Sequence, residues 1–166
     1  MPGFAPITVR QPQAFDIVDD PIAVCGIGTG FEATFSARVS DADGNELSRI
    51  SITAGLGNGA LGNFHGELPL GAVPGSPQGT LEVFEASAED GTELHKIVVP
   101  ITFGRTLVDP YGGFLQYTVE GGDTLAGIAR RFYGEANLFH RLFESNRDQL
   151  TDPNRIFPGQ VLRIPQ

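Results

Sequence analysis

The chain has 166 residues, enough for one ordinary domain or two small ones, and 40% of them are hydrophobic, which is typical of a globular protein. Its formal net charge of -9 argues against nucleic acid and anionic membranes as partners, because both attract basic patches. The excess acid is confined to one part of the chain: residues 1–104 hold 13 acidic and 4 basic side chains, whereas residues 117–166 hold 6 of each. No apolar run is long enough to cross a bilayer, so membrane insertion is not expected.

Alternation of apolar and polar residues predicts strands over most of residues 7–104. The clearest example is Phe31–Ser40, which is followed by a turn at Asp43-Gly44 and a return strand. The apolar phase changes between Val83 and Phe84, and this change predicts a β-bulge. About seven short strands separated by turn residues at this spacing indicate an antiparallel sandwich.

Several segments of this first part resemble the Gmad2 domain, an immunoglobulin-like domain associated with bacterial spore germination proteins. The resemblance is carried by ITV at 7–9, DPIAVCG at 20–26, FEA at 31–33, GTLEVFEAS at 79–87 and VVPI at 98–101. These are mostly core and turn residues. The resemblance therefore implies an immunoglobulin-like β-sandwich over residues 1–104, serving as an accessory or interaction domain.

Three features of this part could indicate a chemical site, and each has a simpler structural interpretation. The glycines of GIGTG at 26–30 lack the lysine and the following helix of a phosphate-binding loop. The DADGNE stretch at 41–46 resembles the front of a calcium loop, but the remainder of that loop is missing, so a hairpin turn is favoured. The lone Cys25 lies in an apolar stretch and is predicted to be a small buried residue. We predict no catalytic residue, no metal and no cofactor.

Residues 105–116 contain Asp109-Pro110 and Gly112-Gly113 and are predicted to form a linker. A short strand is predicted at Tyr117–Val119, and Asp123 is predicted to cap the helix that follows.

The rest of the chain predicts two helices and a closing strand. Apolar residues at helical spacing form one stripe over 125–132 and a second over 138–143. Gly134 stands where a left-handed residue would end the first helix. Pro158-Gly159 marks a loop, and Val161–Ile164 predicts the final strand. The order is strand, helix, helix, strand.

This segment resembles the LysM domain, a βααβ module, over residues 117–166. The resemblance is carried by YTV at 117–119, GDTL at 122–125, FYG at 132–134, DPNRI at 152–156, PGQ at 158–160 and LRIP at 162–165. The fold class is thus mainly β plus α+β: an N-terminal antiparallel immunoglobulin-like sandwich followed by a small βααβ module.

The LysM resemblance implies binding of glycans built from N-acetylglucosamine, such as peptidoglycan or chitin. In that family the sugar lies in a shallow groove between the strand-to-helix corner and the loop before the last strand. Transferred position by position, the groove residues are Gly122, Asp123, Thr124, Leu125 and Ala126 on one wall and Asn154, Arg155, Ile156, Phe157 and Pro158 on the other.

Some of these residues also have a structural interpretation. Asp123 would cap a helix in any case, and Leu125 and Ile156 could belong mostly to the core. The aromatic residues of the two helices are expected to form core and not a platform for sugar stacking; they are Phe132, Tyr133, Phe139 and Phe143.

The favoured hypothesis is a non-catalytic protein whose LysM module binds an N-acetylglucosamine polymer, with bacterial peptidoglycan as the expected ligand. One alternative is an adaptor, cytoplasmic or in a phage-tail-like assembly, that uses the module for protein contacts. A remote alternative is potassium binding.

The compartment depends on the start of the chain. MPGFAPITVRQPQ has no apolar region behind basic residues, so no signal peptide is expected within it. The hypothesis therefore places the protein in the cell envelope if the chain is a mature fragment, and in the cytoplasm if Met1 is the native start.

Overall fold

The computed structural model describes residues 6–29, 34–55 and 61–166. Residues 31–33 of the strand predicted at Phe31–Ser40, and the last glycine of the GIGTG stretch at 26–30, lie outside the described residues. The elements of the first part are β1 (Ile7–Gln11), β2 (Asp16–Val18), β3 (Ile22–Gly28), β4 (Thr34–Asp41), β5 (Glu46–Thr53), β6 (Gly62–Leu68), β7 (Gln78–Ala86), β8 (Glu93–Phe103) and the short helix α1 (Gly104–Leu107). Those of the second part are β9 (Phe114–Thr118), α2 (Leu125–Tyr133), a 3₁₀ turn (Ala136–Leu138), α3 (Phe139–Ser145) and β10 (Val161–Pro165).

The first part is a β-sandwich of two sheets, in the orders β1-β3-β6 and β2-β8-β7-β4-β5. Its core is made by the inward side chains of both sheets, including the fully buried Phe35, Leu81 and Ile101. The predicted sandwich is confirmed, but among the described strands β2 departs from the antiparallel pairing and runs parallel to β8. β1 and β2 are close in sequence yet belong to different sheets, because the chain crosses from one sheet to the other between Gln11 and Asp16.

The predicted bulge in β7 is also confirmed, because the register with β8 shifts between Val83 and Glu85. The shift puts Phe84 outside the main core, where it is nevertheless only 1% exposed. Three cations cover its ring: Arg38 at 5.0 Å, Arg49 at 5.7 Å and Lys96 at 5.8 Å from the ring centre. The aliphatic parts of these three side chains and their cation–π contacts bury the phenyl ring on a face of the sheet that would otherwise expose it.

The cations over Phe84 are held by glutamates, and this arrangement predicts a pH dependence. Glu93 bonds to Lys96 and to both terminal nitrogens of Arg38, at 2.7 and 3.2 Å, and these bonds lower its pKa from 4.5 to about 2. A carboxylate with a lowered folded pKa stabilises the fold above its unfolded pKa, and this contribution is lost as the pH falls from 4.5 towards 2. Partial solvent exposure of Glu93 makes the effect modest.

We therefore expect Glu93→Gln to lower the free energy of unfolding near pH 6 and to have progressively less effect towards pH 2. Urea unfolding of both proteins across this range measures the difference. A difference that stays constant with pH would show that Glu93 acts through packing and not through its charge.

The second part is a two-stranded antiparallel sheet, β9 with β10, covered by α2 and α3. Its separate core includes Leu125, Ile128, Leu142 and Leu162, all at most 2% exposed. The opening strand begins at Phe114, three residues earlier than predicted, so it includes the end of the predicted linker. Gly134 ends α2 in the left-handed conformation, with φ of +81°, as predicted.

One buried side chain ties α3 to the outer edge of β10. Asn146 is fully buried, and its oxygen accepts the backbone N–H of Arg163 at 2.8 Å while its amide nitrogen donates to the carbonyl of Arg163 at 2.9 Å. The side chain therefore pairs with β10 as a neighbouring strand would. As a result, the Asn146 side chain covers part of the outer edge of β10 in this two-stranded sheet.

Hydrogen bonds also join the sandwich to the second part. Gln78 donates to the backbone and side-chain oxygens of Glu144 at 3.1 and 2.9 Å, and Arg163 donates to the carbonyl of Phe15 at 3.0 Å. Phe15 has a positive φ of 64°, which is unusual for a bulky residue.

The domain bounds at residues 104 and 117 stay a prediction. Within the described ranges, no helix has the length and apolar character needed to span a membrane.

Candidate functional site

A groove of about 180 Å³ opens between the start of α2 and the loop that precedes β10. It is lined by Asp123, Thr124, Leu125, Ala126, Phe139, Pro153, Asn154 and Ile156. Six of the ten residues assigned to the groove by sequence are thus brought together around one concavity.

The other four predicted residues do not line this groove. They are Gly122, Arg155, Phe157 and Pro158. Gly122 forms the turn before the helix, with φ of +91°. Phe157 is 60% exposed, and its backbone N–H donates to the side-chain oxygen of Gln160 at 3.1 Å. These residues flank the groove in sequence.

The predicted N-cap is wrong by one residue. Thr124 caps α2, because its hydroxyl accepts the N–H of Gly127 at 3.0 Å. The carboxylate of Asp123 instead accepts the N–H of Glu120 at 2.8 Å and the hydroxyl of Tyr117 at 2.7 Å, and these bonds lower its pKa. The reason is the tight turn from Glu120 to Asp123, which directs the carboxylate back to the strand and leaves the cap to the next residue.

The start of α2 supplies polar groups to the groove. The first intrahelical bond runs from Ile128 N–H to Thr124 carbonyl, and the Thr124 hydroxyl takes the N–H of Gly127. The N–H groups of Leu125 and Ala126 precede the first helical bond, so they have no acceptor within the helix. Both residues line the groove, so two backbone N–H groups without a helical acceptor lie beside it at the positive end of a helix.

Two groove residues were not predicted from sequence, namely Phe139 and Pro153. The expectation that Phe139 belongs to the core is wrong: its side chain is 37% exposed, whereas Leu142 on the same helix is fully buried. Phe139 is the first residue of α3 and follows the 3₁₀ turn, so it lies beyond the core cluster that contains Leu142. Helical periodicity groups the two residues and does not show where the core ends.

The motifs discounted in the sandwich have structural roles. The Asp41 carboxylate accepts three hydrogen bonds within its own turn, from the backbone of Asp43 and from the backbone and side chain of Asn45. Cys25 is half-buried within β3. In the part of the chain that the structure describes, no group of three or more candidate ligands could hold a metal ion.

The model of Gmad2, described as the immunoglobulin-like domain of bacterial spore germination, matches residues 6–92, just over half of the chain. The chain belongs to the Gmad2 family. The LysM domain model matches residues 117–165, which include every residue of the groove. The two predicted resemblances and their order along the chain are confirmed.

The Gmad2 chain is similar to several curated proteins over shorter stretches. It is 54% identical over 50 residues to the potassium binding protein Kbp of Escherichia coli O6:H1, a match covering 30% of this chain and 34% of Kbp. It is 42% identical over 64 residues to esterase Rv1288 of Mycobacterium tuberculosis, covering 39% of this chain and 13% of the esterase. It is 36% identical over 59 residues to YqbP of Bacillus subtilis, covering 30% and 27%. The matches therefore span at most about a third of these relatives.

Both domains of this Gmad2 protein are of non-catalytic, binding types. The LysM domain at residues 117–165 supports a role in binding N-acetylglucosamine-containing glycans such as peptidoglycan or chitin in general.

Proposed function

We propose that this protein is a non-catalytic glycan-binding protein whose LysM groove binds N-acetylglucosamine polymers, with bacterial peptidoglycan as the ligand. The observation that supports it is the presence of a LysM domain with an open groove at the start of α2. The Gmad2 sandwich is the accessory domain that the module attaches to the polymer.

The chemistry of the groove suits an acetamido sugar. The free N–H groups of Leu125 and Ala126 can donate to the acetamido carbonyl, and one carboxylate oxygen of Asp123 can accept from its N–H. Ile156 and Pro153 add apolar surface for the acetyl methyl and for the C–H groups of the sugar ring. A neutral polymer needs no opposite charge, and the LysM part carries equal numbers of acidic and basic residues.

The test is a pull-down of the full chain with insoluble peptidoglycan, chitin and cellulose. We expect retention on peptidoglycan and chitin and none on cellulose, which lacks the acetamido group. Absence of binding to all three by the folded protein would refute the proposal and favour the adaptor hypothesis, in which the module contacts a protein.

A variant that fills the groove tests its location. Ala126→Trp puts an indole where the sugar should lie, and we expect at least about tenfold weaker binding, which corresponds to roughly 1.4 kcal/mol. Ala136→Trp is the matched control, because Ala136 is exposed in the 3₁₀ turn and does not line the groove. Equal binding by both variants would exclude this groove as the site.

Potassium binding is a remote second candidate, raised by the partial similarity to Kbp, which covers 30% of this chain. A ligand that binds only the folded state raises the unfolding temperature, and the increase grows with the logarithm of ligand concentration above the dissociation constant. An increase in potassium chloride that is absent in sodium chloride of equal ionic strength would support this candidate. We expect no difference between the two salts.

A further inference from the structure

We propose that Phe139 is an affinity-determining aromatic residue of the groove, which covers the apolar side of a bound N-acetylated sugar. This inference rests on the proposed function and adds to it a residue on α3, outside both of the walls that the LysM resemblance assigns.

The exposure of Phe139 is the first observation that supports this role. Its side chain is 37% exposed, and it is absent from the buried cluster and from the partly buried residues packed on that cluster. By contrast, Phe132 of α2 and Phe143 of α3 do pack against the core. Phe139 therefore contributes a large apolar surface that the core of the module does not use.

The second observation is its location. Phe139 is the largest side chain of the eight that line the groove, which also borders the start of α2 and its two N–H groups without a helical acceptor. Binding pockets combine a mainly apolar lining with a few polar groups that fix the ligand's orientation. An N-acetylated sugar has matching features: a carbonyl for the N–H donors and a face of C–H groups for an aromatic ring.

The consequence is that affinity should depend on the aromatic ring itself. A branched aliphatic side chain fills similar space, but it lacks the flat π surface that contacts a whole sugar face. In protein–protein interfaces, tryptophan and tyrosine are enriched among the few residues that contribute most of the binding energy, and these residues lie in desolvated pockets.

The experiment measures binding of the full chain to a soluble N-acetylglucosamine hexamer by titration calorimetry, for the unsubstituted protein and for Phe139→Ala, Phe139→Leu and Phe139→Tyr. We expect about tenfold weaker binding for the alanine and leucine variants and affinity within about twofold for the tyrosine variant. Phe114→Ala is the matched control, because Phe114 belongs to the same module, is 44% exposed and does not line the groove. We expect this control to bind as the unsubstituted protein does.

The possible results separate this inference from the proposed function. Binding by the unsubstituted protein with unchanged affinity in Phe139→Ala, or full affinity in Phe139→Leu, would overturn the aromatic role alone. Failure of the unsubstituted protein to bind any N-acetylglucosamine polymer would refute the proposed function and this inference with it. Thermal unfolding of each variant checks the fold, and only small changes are expected because the ring is outside the core.

Discussion

Replacing Asn146 by leucine is expected to lower the free energy of unfolding of the LysM domain by about 3 kcal/mol. The substitution leaves the partly buried backbone N–H of Arg163 facing an apolar side chain in place of its acceptor, and an unsatisfied buried polar group costs about 1–3 kcal/mol. It also removes the donor that bonds to the carbonyls of Leu142 at 2.7 Å and Arg163 at 2.9 Å. Urea unfolding followed by the NMR signals of the LysM domain separates this transition from that of the sandwich.

Gln149→Ala is the control for this prediction. Gln149 also bonds to β10, through the carbonyl of Val161 at 2.8 Å, but its side chain is exposed and water can replace it. We expect a loss below about 1 kcal/mol. Similar losses for Asn146→Leu and Gln149→Ala would contradict the view that burial makes the Asn146 pairing important.

Substituting Gly26 by alanine is expected to destabilise the sandwich by about 3 kcal/mol or more, at the upper end of overpacking effects. A Cβ atom at this position would lie 2.2 Å from the backbone oxygen of Thr8 and 2.5 Å from the ring of Phe64. The neighbouring strand β1 and a core ring would both have to move. The glycines at positions 26 and 28 are therefore explained by packing, which agrees with the prediction that this stretch is not a phosphate-binding loop.

Gly75→Ala is the matched control, because a Cβ atom there meets no heavy atom within 4 Å and its φ is not in the left-handed region. We expect a change within about 0.5 kcal/mol, or a slight gain from the less flexible unfolded chain. Urea unfolding followed by the NMR signals of the sandwich compares the two variants. If Gly26→Ala is as stable as Gly75→Ala, β1 and Phe64 can move apart with little loss of the free energy of unfolding, which would contradict the prediction.

Much of the fold could be predicted because its signals are local. The alternation in β4 and β7, the phase change at Val83 and the left-handed Gly134 each depend on residues close in sequence, and each matches the structure. The parallel pairing of β2 with β8 could not be predicted in this way. It joins residues about 85 positions apart, and a three-residue strand carries too little pattern to indicate its partner.

The groove residues likewise divide into those indicated by local sequence motifs and those that only the tertiary structure places. The amino-acid sequence by itself determined the two families, the order of their domains and six of the eight groove residues, because these depend on motifs at fixed spacing along the chain. Only the tertiary structure decided that Thr124 and not Asp123 caps α2, since the turn at Glu120 competes for the carboxylate. It likewise decided that Phe139 lies in the groove and not in the core. Periodicity records which residues share a face of a helix, whereas the extent of the core along that face depends on the elements packed against it.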